Sequence, residues 1–544
     1  MKKSFTVSLL AKVILILFLL IVAGIFRLHN LALYDLTFDE LGTGMYTFQA
    51  VDKVARLSGQ SHFTVLSEQM KNDPHSPLYY FIIYFFSKYG GEDECLRLLS
   101  VILSLSTCLL FFCFSTLFLN FRGSVLAMGL LAIHPLHIWY AQEARMYASV
   151  GFFVLLMATV FVWALRTDKI RLWILFLVTG MIALMASYFT VFLLIAMGLV
   201  VLLPDNRLHL RKWTFLVMGM VVILLLLRPI FFSQFHFVKH SFWIPQPSFV
   251  TLFFTQMIFN QGFSAACSHY FSGLVLFSSL FVLGVLSLFS LDRQKTFILS
   301  IFIAVPFFLS YFISKYYVPI YIHRQLMIFS PFYYLGIAQG IERILPRRFG
   351  PLVFLLVAAL LLSSLRNYYD GYMFPHPFRA DLLGGVYPKK RYQELFHSLN
   401  QAAFKNDSLI AGDLQSYILL RAHLEREEGR GNLSPDRLWF VFAPQYVFQY
   451  DQRYMGIDAW MKQLPPAQLK NFYAYQLLPD RAITMHPVQL KTMTLGRLWV
   501  VTSSWDMDRS LGMDAEELLI QLRQLSHRQS SSCKDGICVD LFAP

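Results

Sequence analysis

The chain has 544 residues, of which 56% are hydrophobic and only 15% are charged. A soluble enzyme carries more charge than this, so the composition predicts a membrane protein with many spanning helices. The net charge of +13 does not indicate nucleic-acid binding, because much of the Lys and Arg lies in short links between apolar runs. There it orients a membrane protein and meets anionic lipid headgroups.

Eleven apolar runs are predicted to cross the bilayer. The first follows Lys2 and Lys3 and has no small-residue cleavage site after it, so we interpret it as a retained signal anchor. The runs lie at residues 8–28, 98–119, 124–140, 147–165, 172–187, 189–203, 213–232, 271–291, 296–313, 325–341 and 350–365.

A shorter apolar segment, Pro77–Tyr89, decides which side of the membrane each loop faces. If this segment crossed, every Lys- and Arg-rich link would lie outside, against the positive-inside rule. We therefore predict a juxtamembrane or re-entrant helix on the outer side. The loops then predicted to share the external side are 39–75, 94–97, 142–147, 232–270 and 315–324, together with the tail after residue 365.

The tail changes character, with a Pro-rich start at Phe374–Pro377, charged stretches and short apolar segments. Segments such as Ser408–Ala411, Leu438–Phe442 and Leu498–Thr502 favour alternating strands and helices. The predicted organisation is a transmembrane catalytic domain over 1–365, whose first external loop covers 28–97, and a small external α/β domain over 366–544.

The cysteines of the tail, Cys533 and Cys538, flank a polar turn. If the tail faces an oxidising compartment, a short-loop disulfide is favoured over a metal site, because no second Cys or His pair lies nearby.

Asp39 and Glu40 follow the first apolar run directly. Two carboxylates where a membrane helix meets water are costly unless they have a function. A helix start or a surface loop would also explain an isolated acidic pair, and three further external features favour a site.

The first two of these features are His75 and Arg97. His75 lies between two prolines at the start of an apolar helix, which suggests a rigid entry that aims the imidazole into a cavity, although a simple helix start fits too. Arg97 opens a spanning helix on the outer side, where the positive-inside bias gives no reason for it. It is either a snorkelling residue or a partner for a phosphate.

The third feature is the link Gln142–Tyr147, which contains Glu143, Arg145 and Tyr147 between two apolar helices. Glu143 and Arg145 could simply pair with each other, but so polar a link at an outer surface suggests a site. A further external cluster, 315–324, contains Tyr317 and Arg324.

At these residues the sequence resembles the GT-C class of polyprenyl-phosphate-sugar transferases. It is most similar to the protein O-mannosyltransferase-like branch, glycosyltransferase family 39, to which lipid A aminoarabinose transferases are related. The matching segments are Asp39-Glu40, His75–Tyr80, Arg97–Ser100, Pro135–Tyr147 and Arg324–Pro331. The resemblance covers roughly residues 8–340, and the link Gln142–Tyr147 is its most specific part.

The resemblance implies an all-α polytopic GT-C fold and transfer of a sugar, with inversion, from a polyprenyl-phosphate donor to an extracytoplasmic hydroxyl. The acceptor could be a protein, lipid A or a cell-envelope glycan. In this reading Asp39 is the base and Glu40 supports it. Arg97, Arg145 and Arg324 would bind the donor phosphate, and the residues that would orient substrate are His75, Glu143, Tyr147 and Tyr317. Relatives differ in whether they use a divalent metal, so metal dependence stays open and no other cofactor is expected.

Two other classes remain open. A flippase or transporter of lipid-linked sugars would show charged or broken segments near the midplane, whereas the notable charges here gather at one membrane face. An enzyme of the same fold could instead move an oligosaccharide en bloc or add phosphoethanolamine-like groups, but the latter needs a metal cluster for which we find no suitably spaced His and Asp set. A bacterial inner membrane is expected, with the N-terminus cytoplasmic.

Overall fold

The structure is a computed structural model. It describes residues 9–71, 73, 75–89, 93–226, 244, 246–346, 348–371, 389, 391–412, 414–426, 432–434, 437–442, 482–484, 497–503, 515–534 and 537–543. The Pro-rich start of the tail and part of loop 232–270 lie outside these residues, whereas α18 continues through the predicted domain boundary at residue 365.

The first part of the chain is helical. Its α-helices are α1 Leu9–Leu28, α2 Phe38–Gly44, α3 Phe48–Ser58, α4 His62–Lys71, α5 Leu78–Ser87, α6 Asp93–Thr116, α7 Phe121–Ile133, α8 Pro135–Ala141, α9 Tyr147–Thr167, α10 Ile170–Ala186, α11 Thr190–Leu202, α12 Leu210–Leu226, α13 Phe249–Gln261, α14 Cys267–Leu291, α15 Arg293–Tyr316, α16 His323–Leu326, α17 Ser330–Ile344 and α18 Gly350–Tyr369. Short 3-10 turns cover Pro204–His209 and Met327–Phe329.

The protein is a multi-pass membrane protein. Six helices of the described chain are long and apolar enough to cross a bilayer, and up to eight spans result if each of two bent helix pairs counts as one. Each of the eleven predicted apolar runs contains a helix, but the count of eleven spans stays a prediction.

The segment Pro77–Tyr89 forms the short helix α5, as expected. Its ten residues extend about 15 Å at 1.5 Å per residue, which is too short for a hydrocarbon core of about 30 Å. The helix packs against α3 and α6, so the segment between α1 and α6 is folded as short helices.

A sharp bend between α7 and α8 sets the position of the link that follows α8. The two helix axes differ by 57°, and the break falls at His134-Pro135. Proline has no N–H for the helical ladder and clashes with the preceding turn, so a helix bends or ends there. The His134 side chain instead accepts a hydrogen bond from the backbone N–H of Leu136 and starts α8.

The described residues of the tail form a six-stranded sheet flanked by helices. Its elements are α19 Gln393–Ala402, β1 Ser408–Ala411, α20 Leu414–Arg426, β2 Leu438–Phe442, β3 Ala482–Thr484, β4 Leu498–Ser503, α21 Ala515–Leu525, β5 His527–Lys534 and β6 Ile537–Ala543. The strand order is β3-β2-β1-β4-β6-β5. The first four strands in that order are parallel, and β6 pairs antiparallel with both β4 and β5. The three predicted apolar segments are therefore strands β1, β2 and β4.

Alternation along the strands gives the sheet two buried faces. Leu409 and Ala411 of β1 join one apolar cluster, whereas Ile410 joins another on the opposite face with Leu518 and Leu522 of α21. Successive strand residues point to opposite faces, and parallel strands are normally covered on both sides. The Cys533–Cys538 disulfide closes the turn between β5 and β6, which confirms the predicted pairing.

Glycines allow α14 and α17 to pack with their backbones almost in contact. A β-carbon at Gly284 would lie 1.9 Å from the carbonyl oxygen of Gly336, and one at Gly340 would lie 2.0 Å from the carbonyl oxygen of Leu280. Gly336 and Gly340 are four residues apart on one face of α17, the small-residue spacing with which membrane helices approach closely.

We expect Gly284→Ala to destabilise the protein at the upper end of the about 1–3 kcal/mol that overpacking costs, because only backbone atoms surround the added methyl group. Gly151→Ala in α9 is the matched control, since a β-carbon there has no neighbour within 4 Å. Thermal unfolding in detergent measures both. A Gly284→Ala variant as stable as the Gly151→Ala variant would show that this close approach is not important.

Candidate active site

The acidic pair lies in the first turn of α2. Thr37 is the N-cap, and it forms a capping box with Glu40, whose carboxylate accepts hydrogen bonds from the backbone N–H and hydroxyl of Thr37. Such a box satisfies N–H groups that the helix start leaves without partners. Negative charge also suits a helix N-terminus. The sequence Thr37-Phe38-Asp39-Glu40 therefore fixes where both carboxylates point.

Glu40 is fully buried and pairs with Arg97 of α6. The Arg97 Nε and Nη2 atoms donate to the two carboxylate oxygens of Glu40 at 2.7 and 2.8 Å. The backbone N–H of Ala144, in the link between α8 and α9, donates to Oε1 at 2.8 Å. Glu40 thus joins three parts of the chain: the acidic loop, the start of α6 and the link.

Arg97 uses all of its donors inside the protein. A guanidinium has five N–H groups; two of those of Arg97 bind Glu40, and the other three donate to the carbonyl oxygens of Leu31, Tyr34 and Asp35. Its side chain is 4% exposed. This geometry favours a role in holding the loop 31–40 over the phosphate-binding role expected from the sequence.

The partners of Glu40 also keep it ionised. Burial alone would raise its pKa, but the charge and hydrogen bonds of Arg97, the charge of Lys389 and the Ala144 N–H together lower it to about 2. Hydrogen bonds to the charged form and a nearby opposite charge both favour the carboxylate. Glu40 is therefore a fixed anion and not a group that exchanges protons near neutral pH.

Asp39 is arranged differently from its neighbour. Its side chain is 16% exposed, and Oδ2 accepts a hydrogen bond from Arg324 Nη1 at 3.1 Å. The Asp39 carbonyl oxygen accepts one from Arg145 Nη1 at 3.2 Å. Within the described part of the chain Oδ1 accepts no hydrogen bond. Asp39 consequently has one oxygen held by an arginine and one available to a substrate.

His75 is oriented by an aspartate that the sequence analysis did not single out. Asp73 Oδ1 lies 2.6 Å from His75 Nδ1, and Arg145 Nη2 lies 3.3 Å from His75 Nε2. Because arginine can only donate, Nε2 is the acceptor and the imidazole proton is on Nδ1. Tyr80 and Tyr46 donate to the other oxygen of Asp73 at 2.8 and 3.2 Å. The chain Asp73–His75–Arg145 ends at the Asp39 backbone.

Charge and burial keep His75 neutral. Burial lowers its pKa, and the charges of Arg145 and Arg324 lower it further, while Asp73 acts in the opposite direction. Burial would raise the pKa of Asp73, but the hydrogen bonds that it accepts from His75 and the charge of Arg145 lower it. A neutral His75 is suited to accept from Arg145 and so to orient that guanidinium.

Buried polar atoms without partners face the same region. Among the described residues, Glu143 Oε2, Arg145 Nε and the hydroxyls of Tyr140 and Tyr147 form no hydrogen bond. The Arg324 guanidinium lies 5.9 Å from the centre of the Tyr147 ring. Native proteins rarely leave buried polar groups unsatisfied, so such a set beside Asp39 indicates a place where a polar ligand completes the hydrogen bonding.

The structure brings most of the predicted residues together around Asp39. Tyr317 is not among them, since it follows α15 and its side chain is 83% exposed. Two residues that the sequence analysis missed, Asp73 and Lys389, belong to the region. Asp73 lies two residues before His75, so its proximity in the sequence could have indicated it. Lys389 lies in the tail, where no local sequence pattern indicates a role in the site.

The described residues next to the acidic pair are arginines and not further metal ligands. Among the described residues, no group of three His, Cys, Asp or Glu side chains is placed to hold a metal. Glu40 faces Arg97, and Asp39 faces Arg324. Arginines occupy the positions next to the carboxylates where further oxygen ligands would be needed for a hard cation.

Comparison with known proteins adds two findings. Residues 74–232 match the sequence profile of the dolichyl-phosphate-mannose-protein mannosyltransferase family. The fold matches crystal structures of ArnT from Cupriavidus metallidurans over nearly the whole of both chains. The matched profile is that of a glycosyltransferase family, so the chain is a membrane glycosyltransferase with a fold of the GT-C type.

The ArnT match covers 98% of each chain for the structure bound to undecaprenyl phosphate, at 12% identity and a TM-score of 0.54. For the apo structure it covers 96% of this chain and 97% of that chain, at 10% identity and a TM-score of 0.53. The Archaeoglobus fulgidus oligosaccharyltransferase AglB aligns at 10% identity and a TM-score of 0.44, over 90% of this chain and 69% of that chain. A comparison with curated proteins finds no match.

The profile match spans part of this glycosyltransferase's site. It contains His75, Arg97 and the link with Glu143, Arg145 and Tyr147, whereas Asp39 and Arg324 lie outside it. The fold therefore brings the ion pair of Asp39 and Arg324 to the link from two separate parts of the chain.

We expect Glu40→Gln to lower the free energy of unfolding by about 3–5 kcal/mol, because removing one partner leaves Arg97 as an unpaired buried charge. The matched control is Arg56→Gln, which breaks an ion pair with Asp52 whose arginine is 79% exposed and should cost at most about 1 kcal/mol. Unfolding in detergent at pH 7 measures both. Equal stabilities for the two variants would contradict the structural role of Glu40.

The difference in stability between wild type and Glu40→Gln should also depend on pH. The folded-state pKa of Glu40 lies below the value of 4.5 usual for a free glutamate, so its contribution to stability is present above about pH 4.5 and is lost as the pH falls through about 2. The stability difference between wild type and Glu40→Gln should therefore shrink over this range.

Proposed function

We propose that this glycosyltransferase moves a sugar from a polyprenyl-phosphate donor to a hydroxyl of an extracytoplasmic acceptor, with Asp39 as the base. The observation that carries the proposal is the contrast within the acidic pair. Glu40 is fully buried and engaged at both oxygens, whereas Asp39 is partly exposed and lies between Arg145 and Arg324. Its Oδ1 has no partner among the described residues. A base needs such an accessible oxygen within reach of the substrate proton.

In this proposal Arg324 and Arg145 bind the donor phosphate. Both lie within hydrogen-bonding distance of Asp39, and Arg145 retains a buried Nε–H without a partner among the described residues. Arginine–phosphate hydrogen bonds are charge-assisted and strong. The ArnT structure bound to undecaprenyl phosphate supports a lipid phosphate as the ligand of this fold, and Arg97 acts on the site by positioning Glu40.

The proposed reaction is a single displacement at the anomeric carbon of the donor sugar. Asp39 Oδ1 accepts the proton of the acceptor hydroxyl while the hydroxyl oxygen attacks the anomeric carbon from the side opposite the phosphate. The bond between that carbon and the phosphate oxygen breaks, and its electrons stay on the polyprenyl phosphate, whose developing charge Arg145 and Arg324 stabilise. Attack in line inverts the anomeric centre. No step requires a metal ion.

Tyr140, Tyr147 and His75 help to position the substrate in this proposal. The Tyr147 and Tyr140 hydroxyls are buried without partners among the described residues and suit sugar hydroxyls. His75 orients Arg145. We place the site on the extracytoplasmic side of a bacterial inner membrane, with the N-terminus in the cytoplasm, because the Lys- and Arg-rich links gather at the other end of the helices.

We expect Asp39→Asn to reduce transfer by about 10²–10⁴-fold, the contribution of a general base, while leaving the fold intact. Cells producing wild type, no protein or Asp39→Asn are compared by mass spectrometry of envelope glycans and lipid-linked sugars. Asp39→Asn should match the deletion, with one glycan lost and one polyprenyl-phosphate sugar accumulated. Glu68→Gln, at an exposed carboxylate on α4, is the control and should behave as wild type.

A different pattern would contradict the proposal. If the deletion loses a glycan while Asp39→Asn produces it at the wild-type level, Asp39 is not the base. The alternative of a flippase or transporter for lipid-linked sugars would then account better for the phenotype of the deletion.

We expect Arg324→Gln to weaken binding of undecaprenyl phosphate by about 10–100-fold, since a hydrogen bond to a charged group contributes about 1.5–3 kcal/mol. Arg366→Gln removes an arginine that is 84% exposed and pairs only with Asp370 among the described residues, and it should leave binding unchanged. Titration of purified protein with the lipid measures both. Equal affinities would exclude Arg324 from the phosphate site.

A further inference from the structure

Lys389 is a buried cation that the tail places against the active-site link. It is 5% exposed, and its ammonium donates to the carbonyl oxygens of Trp139 at 3.0 Å and Gln142 at 2.7 Å. The Nζ atom also lies 5.6 Å from the ring centres of Trp139 and Tyr368, where a cation is attracted by the aromatic faces. Lys389 therefore fixes the end of α8, where the link begins.

The residues that follow Lys389 hold the acidic loop. The Tyr392 hydroxyl donates to the carbonyl oxygen of Leu36, and the Gln393 backbone N–H donates to Asp35 Oδ2 at 2.8 Å. Leu41 of α2 also packs against the apolar core of the tail. One short segment of the tail thus contacts both the end of α8 next to the link and the loop that precedes Asp39.

The position of Lys389 matters for Glu143, which precedes Arg145 in the link. Glu143 is 4% exposed, and its Oε2 atom has no hydrogen-bond partner among the described residues. Burial raises the pKa of Glu143, and the charge of Lys389 opposes that rise. Burial also lowers the pKa of Lys389, against the charges of Glu40 and Glu143, while Arg97 lowers it further. The charge of each group therefore opposes the effect of burial on the pKa of the other.

Lys389 brings the number of cations in the region closer to the number of carboxylates. The described residues place five carboxylates there, Asp35, Asp39, Glu40, Asp73 and Glu143, and four cations, Arg97, Arg145, Arg324 and Lys389. A buried charge without a counter-charge is costly and tends to neutralise. Without Lys389, the carboxylate with the fewest partners is Glu143.

We propose that Lys389 is a positioning residue of the active site, whose ammonium holds the link 142–146 in place and supplies the counter-charge that the buried Glu143 carboxylate requires. The tail is then a structural part of the site and not only an appended domain. This inference rests on the proposed function in taking the link, through Arg145, as the phosphate-binding part of the enzyme.

The test compares three purified full-length variants with wild type: Lys389→Met, Lys389→Arg and Arg391→Gln. Infrared difference spectroscopy at pH 7 detects a protonated carboxyl group by its carbonyl band, which shifts in deuterated water. Lys389→Met should show a stronger band than wild type, and the double variant Lys389→Met/Glu143→Gln should lose this increase. Arg391→Gln, a partly exposed neighbour, should have the wild-type spectrum.

Transfer is measured in cells for the same variants by the glycan assay. Lys389→Met should reduce transfer by about tenfold or more, since displacements of about 1 Å around catalytic groups cost up to about 100-fold. Lys389→Arg, which keeps the charge, should retain more activity than Lys389→Met, and Arg391→Gln should match wild type. A merely structural lysine would not change the protonation of Glu143.

The inference would be overturned by a Lys389→Met protein with no increase in the protonated carboxyl band, by an increase that persists in the double variant, or by wild-type transfer by Lys389→Met. If Lys389→Met does not fold, the double variant should recover folding because it removes both charges, and failure to recover contradicts the inference. The infrared result requires no turnover, so it distinguishes this inference from a failure of Asp39 as the base.

Discussion

The buried ion pair of Glu40 and Arg97 is the interaction on which the rest of the site depends. Arg97 holds three carbonyl groups of the loop 31–40 and both oxygens of Glu40, and Glu40 in turn accepts the N–H of Ala144. A buried pair contributes little net stability compared with apolar packing, but its directional hydrogen bonds specify one arrangement. Here that arrangement places Asp39 against two arginines, Arg145 and Arg324.

The two carboxylates of the acidic pair therefore have different roles. Adjacent carboxylates in one helical turn point in different directions, and burial separates their chemistry further. The inner one, Glu40, stays an anion at neutral pH, while the outer one, Asp39, keeps an oxygen available to a substrate. The tail adds to the same scaffold, because its Lys389 contacts the link and its Gln393 contacts the acidic loop.

Much of this could be predicted from the sequence. Asp39, Glu143, Arg145 and Arg324 were found because charged residues at an external membrane boundary need a reason, and the helical runs and strands followed from hydrophobic length and alternation. Other features could not be predicted from the sequence. The pairing of Arg97 with Glu40 joins residues 57 positions apart, which no local pattern records, so Arg97 was expected at the phosphate. Lys389 lies 250 residues from Trp139 and only folding brings them together, while nothing local showed that Tyr317 would be exposed.

The most direct test of the proposed roles is an experimental structure of the full-length protein with undecaprenyl phosphate. We expect the phosphate to lie between Arg145 and Arg324, with oxygens at about 3 Å from their guanidinium groups, next to Asp39 and without contact to Arg97. Arg97 should remain paired with Glu40. A phosphate bound to Arg97 in place of Glu40, or one bound away from Asp39, would contradict both the division of roles within the acidic pair and the proposed mechanism.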